Sequence, residues 1–120
     1  MDTVDNNSKR SFNDFLNDFE KFEEIMWNGL KVHVDMKQLS SIIYNQKGGI
    51  RYEGGWENGQ PNGDGIHYYS NGTKRYEGSL INNIENGYGV LYYISGVIHY
   101  KGYWINGQQN GQGRSYSETG

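Results

Sequence analysis

The chain has no cysteine, a single proline at Pro61, and no apolar run near the roughly 20 residues a bilayer-spanning helix needs. Each absence removes a class. Without cysteine there is no disulfide framework, no thiolate zinc site and no thiol nucleophile. The first ten residues, MDTVDNNSKR, lack the apolar stretch of a signal peptide, so the expectation is a soluble, cytoplasmic protein. Positive charge is not in excess either: 11 Lys and Arg stand against 14 Asp and Glu, dispersed along the chain, so no nucleic-acid footprint is visible. Hydrophobic residues make up only 34%. What the chain has instead is 18 glycines and 11 tyrosines within 120 residues, which implies many turns and thin, aromatic-rich packing in one domain. So many large rings argue against a disordered tract.

Self-similarity organises the rest. Tyr52, Tyr76 and Tyr100 are spaced by 24 residues, and at the same offset recur Gly54, Gly78 and Gly102; Asn58, Asn82 and Asn106; Asn62, Asn86 and Asn110. Gly63, Gly65, Tyr68 and Gly72 repeat in the same way. The expected units are 50–73, 74–97 and 98–120, preceded by a half-repeat over 41–49 in which Ile42, Tyr44 and Gly48 keep the register.

Each unit reads as two strands. Ile50 to Trp56 alternates large apolar with polar or small residues, the period of a half-buried strand. Asn58 to Asn62 is expected to turn, and a second strand to run from about Asp64 to Ser70. Taken as a two-residue hairpin turn, Asn71-Gly72 sets Tyr69 opposite Lys74 and His67 opposite Tyr76. One face then carries Tyr52, Trp56, Tyr76, Leu80, Tyr100 and Trp104 with glycines between the rings, and the other carries Tyr68, Tyr92 and Tyr103 among charges. The expected fold is mainly β, a single-layer antiparallel meander of about seven strands over 41–120.

The segment Tyr52-Glu-Gly-Gly-Trp-Glu-Asn-Gly59, followed by Asn62-Gly-Asp-Gly65, resembles the membrane occupation and recognition nexus (MORN) repeat. The resemblance covers residues 41–120. Later units depart from it, with Leu80 in place of Trp and Asn83 in place of Gly. It implies an elongated single-layer sheet with roles in scaffolding, dimerisation and ciliary or cytoskeletal assemblies, and with proposed phospholipid contact.

Ahead of the repeats, Phe12, Phe15, Leu16, Phe19, Phe22 and Met26 fall on one stripe of a helix. Ser11 with Asp14 suits its start and Gly29 its stop, so an amphipathic helix is expected from about Ser11 to Asn28 within an 11–30 segment. Residues 1–10 are expected to be disordered and 31–40 to connect helix and repeats, with a short strand or extended stretch where Val32, Val34 and Met36 alternate. The stripe is read as covering the sheet, or else as docking a partner.

No chemistry emerges. His33, His67 and His99 show no metal-ligand spacing, and Glu53, Glu77 and Lys101 form a charge row with nothing to split carboxylate pKa values. Asn62-Gly-Asp-Gly65 lacks the Lys-Ser or Lys-Thr of a phosphate loop. No catalytic, metal or cofactor residue is assigned. The expected function is a non-catalytic protein-interaction or scaffolding module, a small subunit of a larger ciliary, cytoskeletal or other assembly. Its partner would be a helix, a strand or a second copy, gripped by Tyr52, Trp56, Tyr76, Tyr100 and Trp104. Two alternatives stay open. One is a phospholipid-associated adaptor, disfavoured because Arg51, Lys74, Arg75, Lys101 and Arg114 make no polybasic patch; the other is a regulatory or antitoxin-like binder of microbial or viral origin.

Overall fold

A computed structural model describes residues 22–119. They form one antiparallel sheet of nine strands in which every strand pairs with its sequence neighbours. In chain order these are β1 (Phe22–Trp27), β2 (Leu30–Asp35), β3 (Ser40–Tyr44), β4 (Ile50–Glu57), β5 (Gln60–Tyr68), β6 (Lys74–Ile81), β7 (Ile84–Tyr92), β8 (Ile98–Ile105) and β9 (Gln108–Ser115). Seven strands, β3 to β9, occupy the repeat region.

Two more precede them, and here the structure corrects the helical reading. Phe22 and Met26 lie on β1, not on a helix, and Met26 is 68% exposed. Asn28 and Gly29, read as a helix stop, both take positive φ (51° and 80°) and make a two-residue hairpin turn, with Trp27 opposite Leu30. Once β1 has β2 to pair with, Ile25 faces Val32, and the alternation Leu30, Val32, Val34 reads as an internal strand with all three side chains buried. Of the two readings of the 31–40 stretch, the short strand holds for its first half, which belongs to β2. Phe12, Phe15, Leu16 and Phe19, with the expected N-terminal disorder, lie outside the described residues.

Two kinds of turn join the repeats. Asn58-Gly59, Asn82-Asn83 and Asn106-Gly107 are two-residue turns with positive φ at both positions, so β5 begins at Gln60, earlier than expected. Asparagine tolerates this region better than other side chains, which is why Asn83 at φ 65° can stand where glycine usually does. The Asn71-Gly72 turn is longer than expected. The Tyr69 amide donates to the Thr73 carbonyl at 2.8 Å and the Gly72 amide to the Tyr69 carbonyl at 3.0 Å, leaving three residues in the loop. Tyr69 therefore sits opposite Thr73 and Tyr68 opposite Lys74. A bulge at Arg75 then restores His67 opposite Tyr76 and Gly65 opposite Gly78, the pairing the alternation requires. The same loop and bulge recur between β3 and β4 and between β7 and β8.

The core lies on one face, the inner one: Leu30, Val32, Val34, Ile43, Tyr52, Trp56, Tyr76, Leu80, Tyr100 and Trp104. A flat single layer could not cover such residues. Trp27 and Trp56 stand on strands three apart, roughly 14 Å in a flat sheet, yet their rings meet edge to face at 6.0 Å. The sheet therefore curls toward its inner face and brings the β1–β2 hairpin over β4.

Candidate functional site

The inner face is built from tyrosines laid on glycines. Tyr52, Tyr76 and Tyr100 each lean across the neighbouring strand onto Gly65, Gly89 and Gly113, where an added Cβ would fall inside the ring. Their hydroxyls donate to the backbone carbonyls of Gly55 (2.8 Å), Ser79 (2.7 Å) and Tyr103 (3.0 Å). Each buried phenol thus has its partner three residues along its own strand, and burial holds the Tyr52 and Tyr76 hydroxyls far above their ordinary pKa. Glycines continue as a row from β4 to β9, with Gly54, Gly65, Gly78, Gly89, Gly102 and Gly113 paired in turn. Without side chains on β7 at Gly87 and Gly89, Trp104 of β8 reaches Tyr76 of β6 (5.5 Å, edge to face). It also donates its indole N–H to the Gly89 carbonyl at 3.3 Å.

Along one margin of this face the three equivalent bulges place Arg51, Arg75 and His99 as the extra residues of β4, β6 and β8. A bulge re-aims a side chain that regular alternation would send to the other face. His99 stacks on Tyr93 at 4.1 Å. Arg51 and Arg75 instead flank His67 in a cavity of about 520 Å³ whose walls include Trp27, Tyr52, Asn83 and Glu85. Burial first, then the charges of Arg75 and Arg51, push the His67 imidazole down to about 4, so it is neutral at pH 7.

A MORN repeat model matches residues 52–74, 76–98 and 100–120, segments that open on the three core tyrosines and together cover more than half of the chain. The chain belongs to the MORN repeat family. No curated protein matches it. MORN repeats are in general interaction modules, for proteins or lipids, and not enzymes. The departures from the repeat pattern are absorbed by the fold: Leu80, in the tryptophan position, is 1% exposed.

The five residues expected to grip a partner are this MORN core. Tyr52 and Tyr76 are fully buried, and Tyr100, Trp56 and Trp104 nearly so. The curl of the sheet turns their rings inward, where Trp104 meets Tyr76 and Tyr100, Trp56 meets Trp27 and Tyr52 meets His67, so they pack within the protein rather than present a surface. Glu53 and Glu77, read as a charge row, accept hydrogen bonds from the Tyr68 (2.5 Å) and Tyr92 (3.2 Å) hydroxyls on the outer face. The Tyr68 phenol is pushed up to about 12 by burial and by the Glu53 carboxylate.

Two features escaped the sequence reading. Arg51 and Arg75 line the inner cavity because of bulges that strict alternation hides; the recurrence of arginine just before Tyr52 and Tyr76 was the available signal. The second is an apolar patch on the outer face of the last repeats. Ile81 pairs with Ile84 and Tyr88 with Tyr103, whose rings meet at 5.3 Å. These four and Ile105 are about half exposed.

Proposed function

We propose that this MORN chain is a non-catalytic protein-interaction module that serves a larger cytoplasmic assembly, and that its outer face over β6 to β8 receives the partner protein. The observation that carries this is the exposed patch of Ile81, Ile84, Tyr88, Tyr103 and Ile105. Isolated exposed apolar residues need no explanation, whereas a contiguous group with paired aromatic rings is the composition of interface centres. The buried tyrosines of the inner face supply rigidity, so the patch is presented pre-formed and little ordering entropy is lost on docking.

The test is the double variant Tyr88→Ser and Tyr103→Ser, both outside the core. Circular dichroism and melting temperature should match the parent. Affinity purification from the native source, read by mass spectrometry, should show at least tenfold less of the main co-purifying protein, since aromatic anchors contribute roughly 2 kcal/mol each. Equal recovery by a folded double variant would assign binding to another surface. Flotation with anionic vesicles tests the rival lipid reading, for which retention of the chain on the vesicles is required.

A further inference from the structure

We propose that the inner-face cavity of the first repeats is a binding site for a small phosphate ester with a flat, amine-bearing body, of which adenosine monophosphate is a simple representative. The cavity of about 520 Å³ is of the size that small organic ligands occupy. It is also polarised. At one end stand Arg51 and Arg75, equivalent bulge residues of successive repeats, and among the described residues neither meets a carboxylate within ion-pair distance. Two guanidinium groups without carboxylate partners suit an anion with several oxygens, and phosphate matches their fork geometry.

The other end has the opposite character. Asn83 and Glu85 belong to the β6–β7 hairpin and its first strand, at the far end of the strands from the two bulges. Asn83 lines this end through other atoms, its side-chain oxygen being buried and not open to the cavity, so the acceptor offered to an amine here is the Glu85 carboxylate. The lining also includes the rings of Trp27, Tyr52 and Tyr69, and flat bodies stack on such rings. His67, flanked by the two arginines, is neutral at pH 7 and so adds no charge at that end.

The polarity dictates the test. Isothermal titration of the full chain with adenosine monophosphate should show saturable binding. Inorganic phosphate and adenosine, which each supply half of the chemistry, should bind at least about tenfold more weakly. Inosine monophosphate, which places a carbonyl where the amine was and so sets acceptor against acceptor, should also lose about tenfold or more. The double variant Arg51→Gln and Arg75→Gln should weaken binding by about tenfold or more for each arginine. Lys101→Gln with Arg114→Gln removes the same charge from a cross-strand pair on β8 and β9 and should leave binding unchanged. Arg51 is exposed, so Arg51→Gln alone carries the test if the double variant does not fold. Absence of saturable binding by the parent, an equal loss in both double variants, or equal affinity for inosine and adenosine monophosphates would each overturn the proposal. None of these outcomes bears on the outer-face reading, which uses other residues.

Discussion

Gly65, Gly89 and Gly113 matter for the space they leave. A tyrosine ring fills each place where a side chain would begin, and the ring's hydroxyl is anchored to its own strand at 2.7 to 3.0 Å. Gly89 is the most constrained of the three, because Tyr76 above it is fully buried and Trp104 also bonds its carbonyl. Gly89→Ala is expected to cost about 3 kcal/mol, measured by urea unfolding. Tyr76→Phe, which keeps the ring and loses one hydrogen bond, should cost about 1 kcal/mol. An alanine at 89 that left stability unchanged would contradict the ring-on-glycine packing. His67 makes the residue scale pH-dependent. Its folded pKa of about 4 lies below the ordinary imidazole value of 6.5, so between those values the unfolded chain holds a proton that the folded chain does not. Stability should be complete above about pH 6.5 and fall as the pH drops toward 4, by up to about 3 kcal/mol. His67→Gln should flatten that part of the pH profile relative to the parent.

At the scale of elements, the instructive case is the β1–β2 hairpin. Residues 22–28 carry apolar residues at spacings that extend a helical stripe, yet Phe22–Trp27 is a strand. The Asn28-Gly29 turn and the alternation of Leu30, Val32 and Val34 offer β1 a paired edge and a buried face at once, and tertiary pairing outweighs helix propensity differences of a few tenths of a kcal/mol per residue. The hairpin closes the curled sheet with its own core side chains and with the ring pair of Trp27 on Trp56 at 6.0 Å. Trp27→Ala should therefore destabilise the protein by about 2 kcal/mol. It should also expose Trp56, which a red shift of the remaining tryptophan fluorescence would report. A variant with unchanged stability would show that the hairpin does not help to cover the core.

For the whole molecule, the meander makes the protein nearly one-dimensional, since each strand pairs only with its neighbours in sequence. The radius of gyration is 18.1 Å, against about 13 Å for a compact domain of some 100 residues. In such a chain stability is close to a sum of neighbour terms, and the ends open first. β9 is the weakest position: every residue from Gln108 to Ser115 is exposed, and its ladder runs to β8 alone. Hydrogen exchange should show β9 amides exchanging at least tenfold faster than those of β5 and β6, which are paired on both sides. Uniform protection from β4 to β9 would mean that the array opens as a single unit. The polar sequence Gln-Gln-Asn-Gly-Gln-Gly-Arg-Ser also suits an open edge, because it offers a passing strand little apolar surface to bury.

The 24-residue period was enough to determine the repeats, the antiparallel meander and which residues form the greasy face, since alternation and turn chemistry are local properties. The pairing of Gly65 with Gly78 and of His67 with Tyr76 was legible for the same reason, even though the turn beside it is one residue longer than the sequence suggested and a bulge makes up the difference. What sequence could not decide was the fate of that face. Alternation says that Tyr52, Trp56, Tyr76, Tyr100 and Trp104 share a side, but whether a partner or the chain itself covers them depends on how far the sheet curls, and curl is set by contacts between distant strands such as Trp27 with Trp56. The direction of Arg51 and Arg75 was hidden in the same way, because a bulge leaves the sequence period intact while turning a side chain to the other face. Only the tertiary structure showed that the aromatic face is the protein's own core, with an exposed apolar patch over β6 to β8 on the outer face and an arginine-flanked cavity on the inner one.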